Sequence, residues 1–334
     1  MKIGSKKKWA VGALVASPFL YAAVRSATDR SKGSLTMRGA STALRLKGNQ
    51  LRDLPAFIDV VRSTPGRTDA PVPNEMRSKL NVAESVEGGH RVVTLSPKSQ
   101  GSRWQIIYLH GGAYVNPLVK EHWDIIASLI AATGATVTVP LYPLAPEGDS
   151  RAARSFVNQV YQRVVEGVHP EHLVLVGDSA GGGLVVGTAL EAKAKGLPPP
   201  ARMILFAPWL DLTLANPAAR TVEPHDIMLG IESLRQCGRW WAGESDPAGP
   251  VISPLYADLA GLPPIDIFQG TADLLVVDCR SFVTKARLAG IDTRYFEYPN
   301  AFHVFMAATF IPEAKDVYRI IGNTLSPERQ PPGV

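Results

Sequence analysis

The sequence predicts an α/β fold in which a mostly parallel sheet is covered by helices on both faces. The first observation is a regular alternation: from about residue 90 onward, apolar runs of strand length are separated by amphipathic stretches of helix length. The second is composition, since 46% of the 334 residues are hydrophobic, which suffices for a large core. Sheets of this kind place their functional residues at the carboxyl ends of the strands.

Seven segments are predicted as strands because they are continuous apolar runs or alternate with period two. They are Arg91–Leu95, Gln105–Leu109, Ala135–Val139, Leu173–Val176, Met203–Phe206, Ile265–Phe268 and Arg294–Tyr298. Five segments are predicted as helices from their amphipathic spacing, namely Glu121–Ala132, Ser150–Glu166, Leu184–Lys195, Asp278–Ala289 and Glu313–Leu325. Gly290 directly follows one of these helices and is predicted to form its C-terminal cap.

Two segments interrupt the alternation. Residues 28–85 lack strong strand patterns, and residues 213–250 contain a proline-punctuated loop and a Trp-rich helix around Ile231 to Trp241. Both are predicted to form a cover over the strand ends. The predicted organisation is therefore a leader over 1–27, an N-terminal cap region over 28–85, a catalytic core over 86–212 and 251–330, and a cap insertion over 213–250.

The positive charge of the chain is concentrated near its N-terminus. The whole chain has 35 Lys and Arg against 30 Asp and Glu, a formal net charge of +5. Residues 1–47 contain ten of the basic residues and one acidic residue, Asp29, so the remainder has 25 basic against 29 acidic residues. A slightly acidic body without a basic stripe argues against nucleic acid as a partner.

The leader has the pattern of an export signal. Lys2 and the run Lys6 to Lys8 precede sixteen uncharged residues, Trp9 to Val24, and Arg25 follows. This apolar run, interrupted by Pro18, is short for a bilayer span of about 20 residues but suits the core of a signal. Because the cleavage signal is weak, an anchor, a membrane-surface helix and an ordinary packing helix stay open. We expect a membrane-associated or exported protein, with a cytoplasmic location as the alternative.

The stretch Gly177-Asp178-Ser179-Ala180-Gly181 predicts a nucleophile. It lies between an apolar strand and a helix-forming run, so Ser179 occupies the apex of a tight turn. Such a turn exposes the serine hydroxyl, and the two glycines leave room for it. The N–H of Ala180 is predicted to point towards the reacting carbonyl, where the helix N-terminus stabilises developing negative charge. The alternative is that Ser179 is only a helix N-cap.

Further N–H donors are predicted in His110-Gly111-Gly112-Ala113, directly after the strand that ends at Leu109. Adjacent glycines can direct backbone N–H groups into a cavity, where one donor is worth about 2.7–4 kcal/mol to a transition state. The alternative is a glycine-rich turn with no role in catalysis. Because His110 directly precedes the glycines, it is predicted to hold this loop in place and not to act as the base.

The acid and the base are predicted from their positions at later strand ends. Asp273 follows the strand Ile265–Phe268 and is preferred over Asp278, which begins a helical stretch and is predicted to cap it. Of the seven histidines, His303 alone lies beyond the last strand. The order serine, aspartate, histidine is the order expected for a serine at a strand-to-helix turn. A structural role for His303 is the alternative.

Neither a metal nor a cofactor is predicted. The two cysteines, Cys237 and Cys279, cannot build a disulfide framework, and the sequence has no CxxC motif. Both are predicted to be small buried hydrophobic residues. His169 and His172 lie three positions apart, but no carboxylate cluster accompanies them, which disfavours a metal site.

Together these motifs resemble the hormone-sensitive-lipase-like family of α/β-hydrolases. Besides HGG at 110–112 and GDSAGG at 177–182, the segment Tyr142–Glu147 is close to the family's YRLAPE, and residues 253–264 resemble its run before the acid strand. Pro143 stands in place of the usual arginine. The resemblance covers roughly residues 85–325. It implies an α/β-hydrolase fold with a helical cap. It also implies a catalytic triad of Ser179, Asp273 and His303, and an oxyanion hole formed by Gly111, Gly112 and Ala180.

The implied function is hydrolysis of small-molecule carboxylic esters with short to medium acyl chains, by a serine hydrolase that needs no cofactor. One alternative is a deacetylase of an acetylated metabolite or sterol. Another is a receptor that binds a small molecule without hydrolysing it, like the gibberellin receptor, which resembles this family but has lost the triad histidine. His303 disfavours the receptor. Apolar residues of the cap insertion are predicted to face the acyl chain, with packing onto the core as the alternative; they are Ile227, Met228, Leu229, Trp240 and Trp241.

Overall fold

The structure is a computed structural model that describes residues 33–47, 50–64, 66–99 and 101–326. The predicted leader over residues 1–27 lies outside the described residues. Within the described ranges, no helix has both the length and the apolar character that crossing a bilayer requires.

The strands form one mixed sheet at the centre of the described chain. They are β1 (Leu80–Glu87), β2 (His90–Pro97), β3 (Gln105–Leu109), β4 (Thr136–Pro140), β5 (Leu173–Asp178), β6 (Arg202–Phe206), β7 (Ile265–Gly270) and β8 (Thr293–Tyr298). Their order is β1-β2-β4-β3-β5-β6-β7-β8. β2 pairs antiparallel with β1 and β4, and all other neighbours are parallel. The six strands β3 to β8 therefore present their carboxyl ends at one edge, which confirms the predicted architecture.

The helices occupy the connections between these strands and the two interrupting segments. They are α1 (Leu35–Lys47), α2 (Leu54–Ser63), α3 (Asn74–Lys79), α4 (Lys120–Thr133), α5 (Ser150–Gly167), α6 (Ala180–Ala194), α7 (Ala219–Val222), α8 (Ile231–Ala242), α9 (Val276–Leu288) and α10 (Pro312–Thr324). All five predicted helices occur, with ends that differ by a few residues. Gly290 has a φ of +77° after α9, as expected of a C-terminal cap.

The sequence pattern does not predict β1. Among the described strands, β1 lies at the edge of the sheet and pairs with β2 alone, and most of its side chains are exposed. An antiparallel edge strand needs no continuous apolar run, so its sequence carries a weak signal. The predicted boundary between residues 85 and 86 falls inside β1. The division into domains otherwise stays a prediction.

The central strand β5 is buried on both faces, which makes it a firm base for the turn at its carboxyl end. Its alternate residues Leu173 and Leu175 belong to one cluster of buried apolar side chains, and Val174 and Val176 belong to the other. Side chains of a strand alternate between the two faces of the sheet, so the two clusters lie on opposite faces. Ser179 comes directly after this strand.

The two interrupting segments lie near the carboxyl ends of β7 and β8. The two segments contact each other: the ring centroid of Phe57 in α2 lies 6.3 Å from that of Trp240 in α8. A cavity of about 650 Å³ is lined by Arg38 of α1, by Ile227 of the insertion and by Phe302, which precedes His303. Parts of both segments thus lie at this end of the sheet, whereas residues 80–85 belong to β1 within the sheet itself.

Candidate active site

Ser179 lies in a tight turn between β5 and α6. Its backbone has φ +51° and ψ −121°, a conformation that a residue with a side chain rarely adopts. Hydrogen bonds hold it there: its N–H donates to Phe206 at 2.8 Å, and its carbonyl accepts from Trp209 at 2.9 Å. The Ser179 side chain makes no capping hydrogen bond, which contradicts the N-cap alternative.

The two glycines of this turn are required by space, as the sequence predicted. A Cβ at position 177 would lie 2.5 Å from the carbonyl oxygen of Gly181, and a Cβ at position 181 would lie 2.0 Å from that of Leu109. Both distances are far inside van der Waals contact with the backbone. Any larger residue would therefore displace the serine turn from β3 and β5.

The structure brings Asp273 and His303 to Ser179 across long stretches of chain. His303 Nε2 lies 2.9 Å from Ser179 Oγ, and His303 Nδ1 lies 2.8 Å from Asp273 Oδ2. The other carboxyl oxygen of Asp273 accepts from the N–H of Leu275 at 2.9 Å. All three side chains are buried. In this arrangement the carboxylate accepts from Nδ1–H, which leaves Nε2 free to accept the serine proton.

The charge around His303 favours its protonated form. Burial lowers the pKa of an imidazole, but the charge and hydrogen bond of Asp273 act in the opposite direction and outweigh it. Asp226 and Asp178 add to this effect, so the pKa of His303 is raised above its ordinary value of 6.5. A stronger base is better able to remove a proton from a serine hydroxyl.

The backbone donors around Ser179 differ in one position from the prediction. The N–H of Gly111 donates to Asp178 Oδ1 at 3.0 Å, so it is directed at that carboxylate and the prediction that it binds the oxyanion is wrong. Within the described ranges, no acceptor bonds to the N–H groups of Gly112, Ala113 or Ala180. Gly112 and Ala113 both have positive φ angles, 109° and 54°. Donors of this kind can bind an oxyanion.

Asp178 holds the serine turn against the loop that carries Gly112, a role that was not predicted from the sequence. Its Oδ1 also accepts from the hydroxyl of Tyr108, and its Oδ2 lies 3.5 Å from His122 Nε2. Burial opposes ionisation of Asp178, but these two neighbours outweigh it and lower its pKa. The position of Asp178 inside the serine motif was the only signal in the sequence.

His110 lies in the same region but is held in the loop, as predicted. Its ring stacks on Tyr142 with centroids 4.4 Å apart, its Nδ1 lies 2.7 Å from the Gly111 carbonyl, and its own carbonyl accepts from the Tyr142 hydroxyl at 2.6 Å. Burial, together with His122, lowers the pKa of His110 to about 3. His110 is therefore neutral at ordinary pH.

Asp278 does not cap a helix, which corrects the prediction made for it. The helix α9 begins at Val276, so Asp278 lies inside its first turn, where the side chain is fully buried. Among the described residues, neither carboxyl oxygen has a hydrogen-bond partner of good geometry, although the side chain of Asn216 interacts weakly with the carboxyl group. Burial and the charge of Asp211 raise the pKa of Asp278 to about 7.

The tryptophans of the insertion have different surroundings. Trp241 is buried and stacks on Tyr114 at 3.9 Å, next to the loop that carries Gly112 and Ala113. Trp241 therefore packs onto the core, which was the alternative prediction for it. Trp240 is half-buried and faces Phe57 of α2. Trp240 is therefore the better candidate to contact an acyl chain.

Both cysteines are buried and free of disulfides, as predicted. Cys279 Sγ lies 3.1 Å from Gln269 Oε1, and burial raises the pKa of both thiols. In the part of the chain that the structure describes, His, Cys, Asp and Glu form no group of three or more suited to a metal ion.

Comparison with known proteins finds relatives across most of the chain. A family model described as an α/β-hydrolase fold matches residues 106–307. An esterase of Acinetobacter venetianus is 34% identical over 223 residues, 65% of this chain and 73% of the esterase. An acetyl-hydrolase of Streptomyces hygroscopicus is 32% identical over 228 residues, 68% of this chain and 76% of its own. A solved hormone-sensitive lipase from a metagenome library superposes with a TM-score of 0.74 at 26% identity, covering 87% of this chain and 98% of that one.

Proposed function

Because the chain belongs to the hormone-sensitive-lipase-like family of α/β-hydrolases and is a carboxylic ester hydrolase, we propose that Ser179, His303 and Asp273 perform the hydrolysis. The observation that carries this proposal is the continuous hydrogen-bonded chain from Ser179 Oγ through His303 to Asp273. A serine hydroxyl becomes a good nucleophile when a base can accept its proton and a third group orients that base.

In the first step, Ser179 Oγ attacks the ester carbonyl while His303 Nε2 takes the hydroxyl proton. The carbonyl oxygen becomes an oxyanion, which we assign to the N–H groups of Gly112, Ala113 and Ala180. Asp273 stabilises the imidazolium that forms. When the tetrahedral intermediate collapses, the imidazolium returns its proton to the leaving alkoxide, and the alcohol departs from an acyl-Ser179 enzyme.

In the second step, water takes the place of the serine as nucleophile. His303 removes a proton from the water as it attacks the acyl carbonyl, and the same N–H groups bind the new oxyanion. Collapse expels Ser179 Oγ, which recovers its proton from His303, and the carboxylic acid is released. Apart from the ester and one water molecule, both steps use only the groups of this chain named above.

Labelling the nucleophile tests the proposal directly. A fluorophosphonate is expected to modify Ser179 and no other serine, since the label reacts only with an activated hydroxyl. Peptide mapping by mass spectrometry locates the adduct. Ser150 is a matched internal control, because its hydroxyl is also buried but has no hydrogen-bond partner among the described residues. An adduct on Ser150 or another serine would contradict the assignment.

We propose that the segments over the strand ends close one end of the acyl pocket, so that the substrates are esters of short to medium acyl chains. Each added methylene is expected to gain at most about 0.8 kcal/mol until the pocket is full, after which kcat/KM falls. A series of p-nitrophenyl esters from acetate to palmitate measures the optimum. Efficient hydrolysis of emulsified long-chain triglyceride with little turnover of acetate or butyrate esters would contradict a closed pocket.

Trp240→Ala is expected to move that optimum to longer chains, since it removes a large ring where α8 faces α2. Trp104→Ala is the matched control: Trp104 is also half-buried but precedes β3, at the opposite edge of the sheet. If the preferred acyl-chain length is unchanged in the Trp240 variant, Trp240 does not line the acyl site.

Acetyl esters are the second candidate substrates, because the chain is similar to a protein named acetyl-hydrolase. The same ester series, extended with acetylated sterols and acetylated amides, separates this candidate from a general esterase. A preference for one acetylated compound over p-nitrophenyl acetate would favour a dedicated deacetylase, and a broad response would favour the esterase.

We further propose that the leader carries the chain to a membrane or across it. Its basic residues are each worth on the order of 1 kcal/mol near an anionic surface, and its uncharged run supplies the apolar contact. The full-length chain is expected in the membrane or exported fraction, and a chain that begins at Thr28 in the cytosolic fraction. Identical behaviour of both chains on fractionation would favour an ordinary packing helix.

A further inference from the structure

Asp226 connects the insertion over residues 213–250 to the turn that carries Asp273. The side chain is fully buried. Its Oδ1 accepts from the N–H groups of Met228 and Leu229 at 2.8 and 2.9 Å, which is a local turn within the insertion. Its Oδ2 accepts from the N–H of Leu274 at 2.8 Å, and Leu274 directly follows Asp273. One carboxylate thus bridges two segments that are 48 residues apart.

The turn around Asp273 receives support from both sides. Asp273 Oδ1 accepts from the N–H of Leu275, while the neighbouring N–H of Leu274 donates to Asp226. Two consecutive N–H groups therefore bind two different carboxylates. This arrangement restricts the rotation of the peptide between them, and with it the direction in which Asp273 Oδ2 meets His303 Nδ1.

Because Asp226 Oδ2 bonds to the residue next to Asp273, which itself holds His303, the charge of Asp226 also acts on the imidazole. Burial and the charge of Asp273 raise the pKa of Asp226 to about 6, although His303 and the N–H groups of Leu274 and Leu229 act against this rise. In return, Asp226 contributes to the raised pKa of His303. The other carboxylates that act on His303 are Asp273 and Asp178.

We propose that Asp226 is a positioning residue for the catalytic acid: it holds the Leu274 peptide and places a second negative charge beside the His303 imidazole. This inference rests on the proposed triad. The two actions predict different effects, since loss of the hydrogen bond disturbs the geometry, whereas loss of the charge changes the basicity of His303. If Asp226 were only a structural cap, its loss would disturb the geometry but leave the basicity of His303 unchanged.

The charge is tested by NMR in chains that also carry Ser179→Ala, so that turnover plays no part. The pKa of His303, followed through its ring proton signals, is expected to fall by up to about one unit in Asp226→Asn. Asp278→Asn is the matched control, because Asp278 is equally buried but hydrogen-bonds to no part of the site among the described residues. An unchanged pKa of His303 in the Asp226 variant would overturn the charge effect.

Kinetics test both actions in chains that retain Ser179. Asp226→Asn is expected to lower kcat about fivefold through the lost hydrogen bond, with little change in KM, and to move the acid limb of kcat/KM to lower pH. Asp226→Glu, which keeps the charge, is expected to leave the acid limb in place while kcat falls. A wild-type rate and pH profile in Asp226→Asn would overturn the proposal.

Two further measurements keep the result interpretable. If Asp226→Asn does not fold, the carbon signal of the Asp226 carboxyl in the otherwise unchanged Ser179→Ala chain is expected to titrate together with His303, and independent titrations would overturn the coupling. Ser179→Ala and His303→Ala are assayed in parallel. Their inactivity beside a normal Asp226→Asn would refute only the role of Asp226, whereas their activity would refute the triad itself.

Discussion

Replacement of Ser179 by alanine is expected to reduce ester turnover by about 10⁴-fold or more while leaving the fold intact. The loss is large because no other group in the proposed mechanism can form the acyl-enzyme. The fold should persist because alanine has the same Cβ at the same positive φ, and among the described residues Ser179 Oγ bonds only to His303. Turnover of p-nitrophenyl butyrate and the thermal unfolding temperature measure the two effects.

Ser150→Ala serves as the control for this variant, since it removes a buried hydroxyl of the same kind at the start of α5. Its turnover is expected to match that of the unaltered chain. If Ser179→Ala kept substantial turnover, with fluorophosphonate labelling at a different serine, the nucleophile would have to be assigned again.

Replacement of His303 by alanine is expected to lower turnover by about 10³-fold or more at every pH. In the unaltered chain, only the neutral imidazole can accept the serine proton. Because Asp273 and its neighbours raise the pKa of His303 above 6.5, kcat/KM should remain high above that raised value and fall as the pH drops through it. Measuring kcat/KM as a function of pH checks whether it falls at a pH above 6.5, as a raised pKa of His303 requires.

His172→Ala is the matched control for the base. His172 is also largely shielded from solvent, but it precedes β5 at the opposite edge of the sheet and packs against Trp104. Its loss should leave the pH profile unchanged. Near-normal turnover in His303→Ala would place the base elsewhere in the chain.

The sheet was predictable because its signal is local. Strands β2 to β8 are apolar runs or alternating segments, and the buried central strand β5 begins with a continuous apolar stretch. Strand β1 was not predicted because most of its side chains are exposed, so its sequence has no run of buried apolar residues. Burial leaves a pattern in the sequence, and exposure leaves little.

The positions of Ser179, Asp273 and His303 were also predictable, since each lies just beyond a strand and parallel strands end at the same edge. Their order along the chain and the glycines around Ser179 supplied the rest. The sequence by itself therefore determined that the side chains of Ser179 and Asp273 would each lie within hydrogen-bond distance of His303.

Only the tertiary structure decided the directions of individual groups. The N–H of Gly111 points at Asp178, and that of Leu274 points at Asp226, although the residues of these pairs lie 67 and 48 positions apart. Asp278 lies in the buried first turn of α9, where the sequence pattern suggested a helix N-cap. Hydrogen bonds between distant segments depend on backbone angles and burial that no local pattern encodes, so they become visible only once the chain is folded.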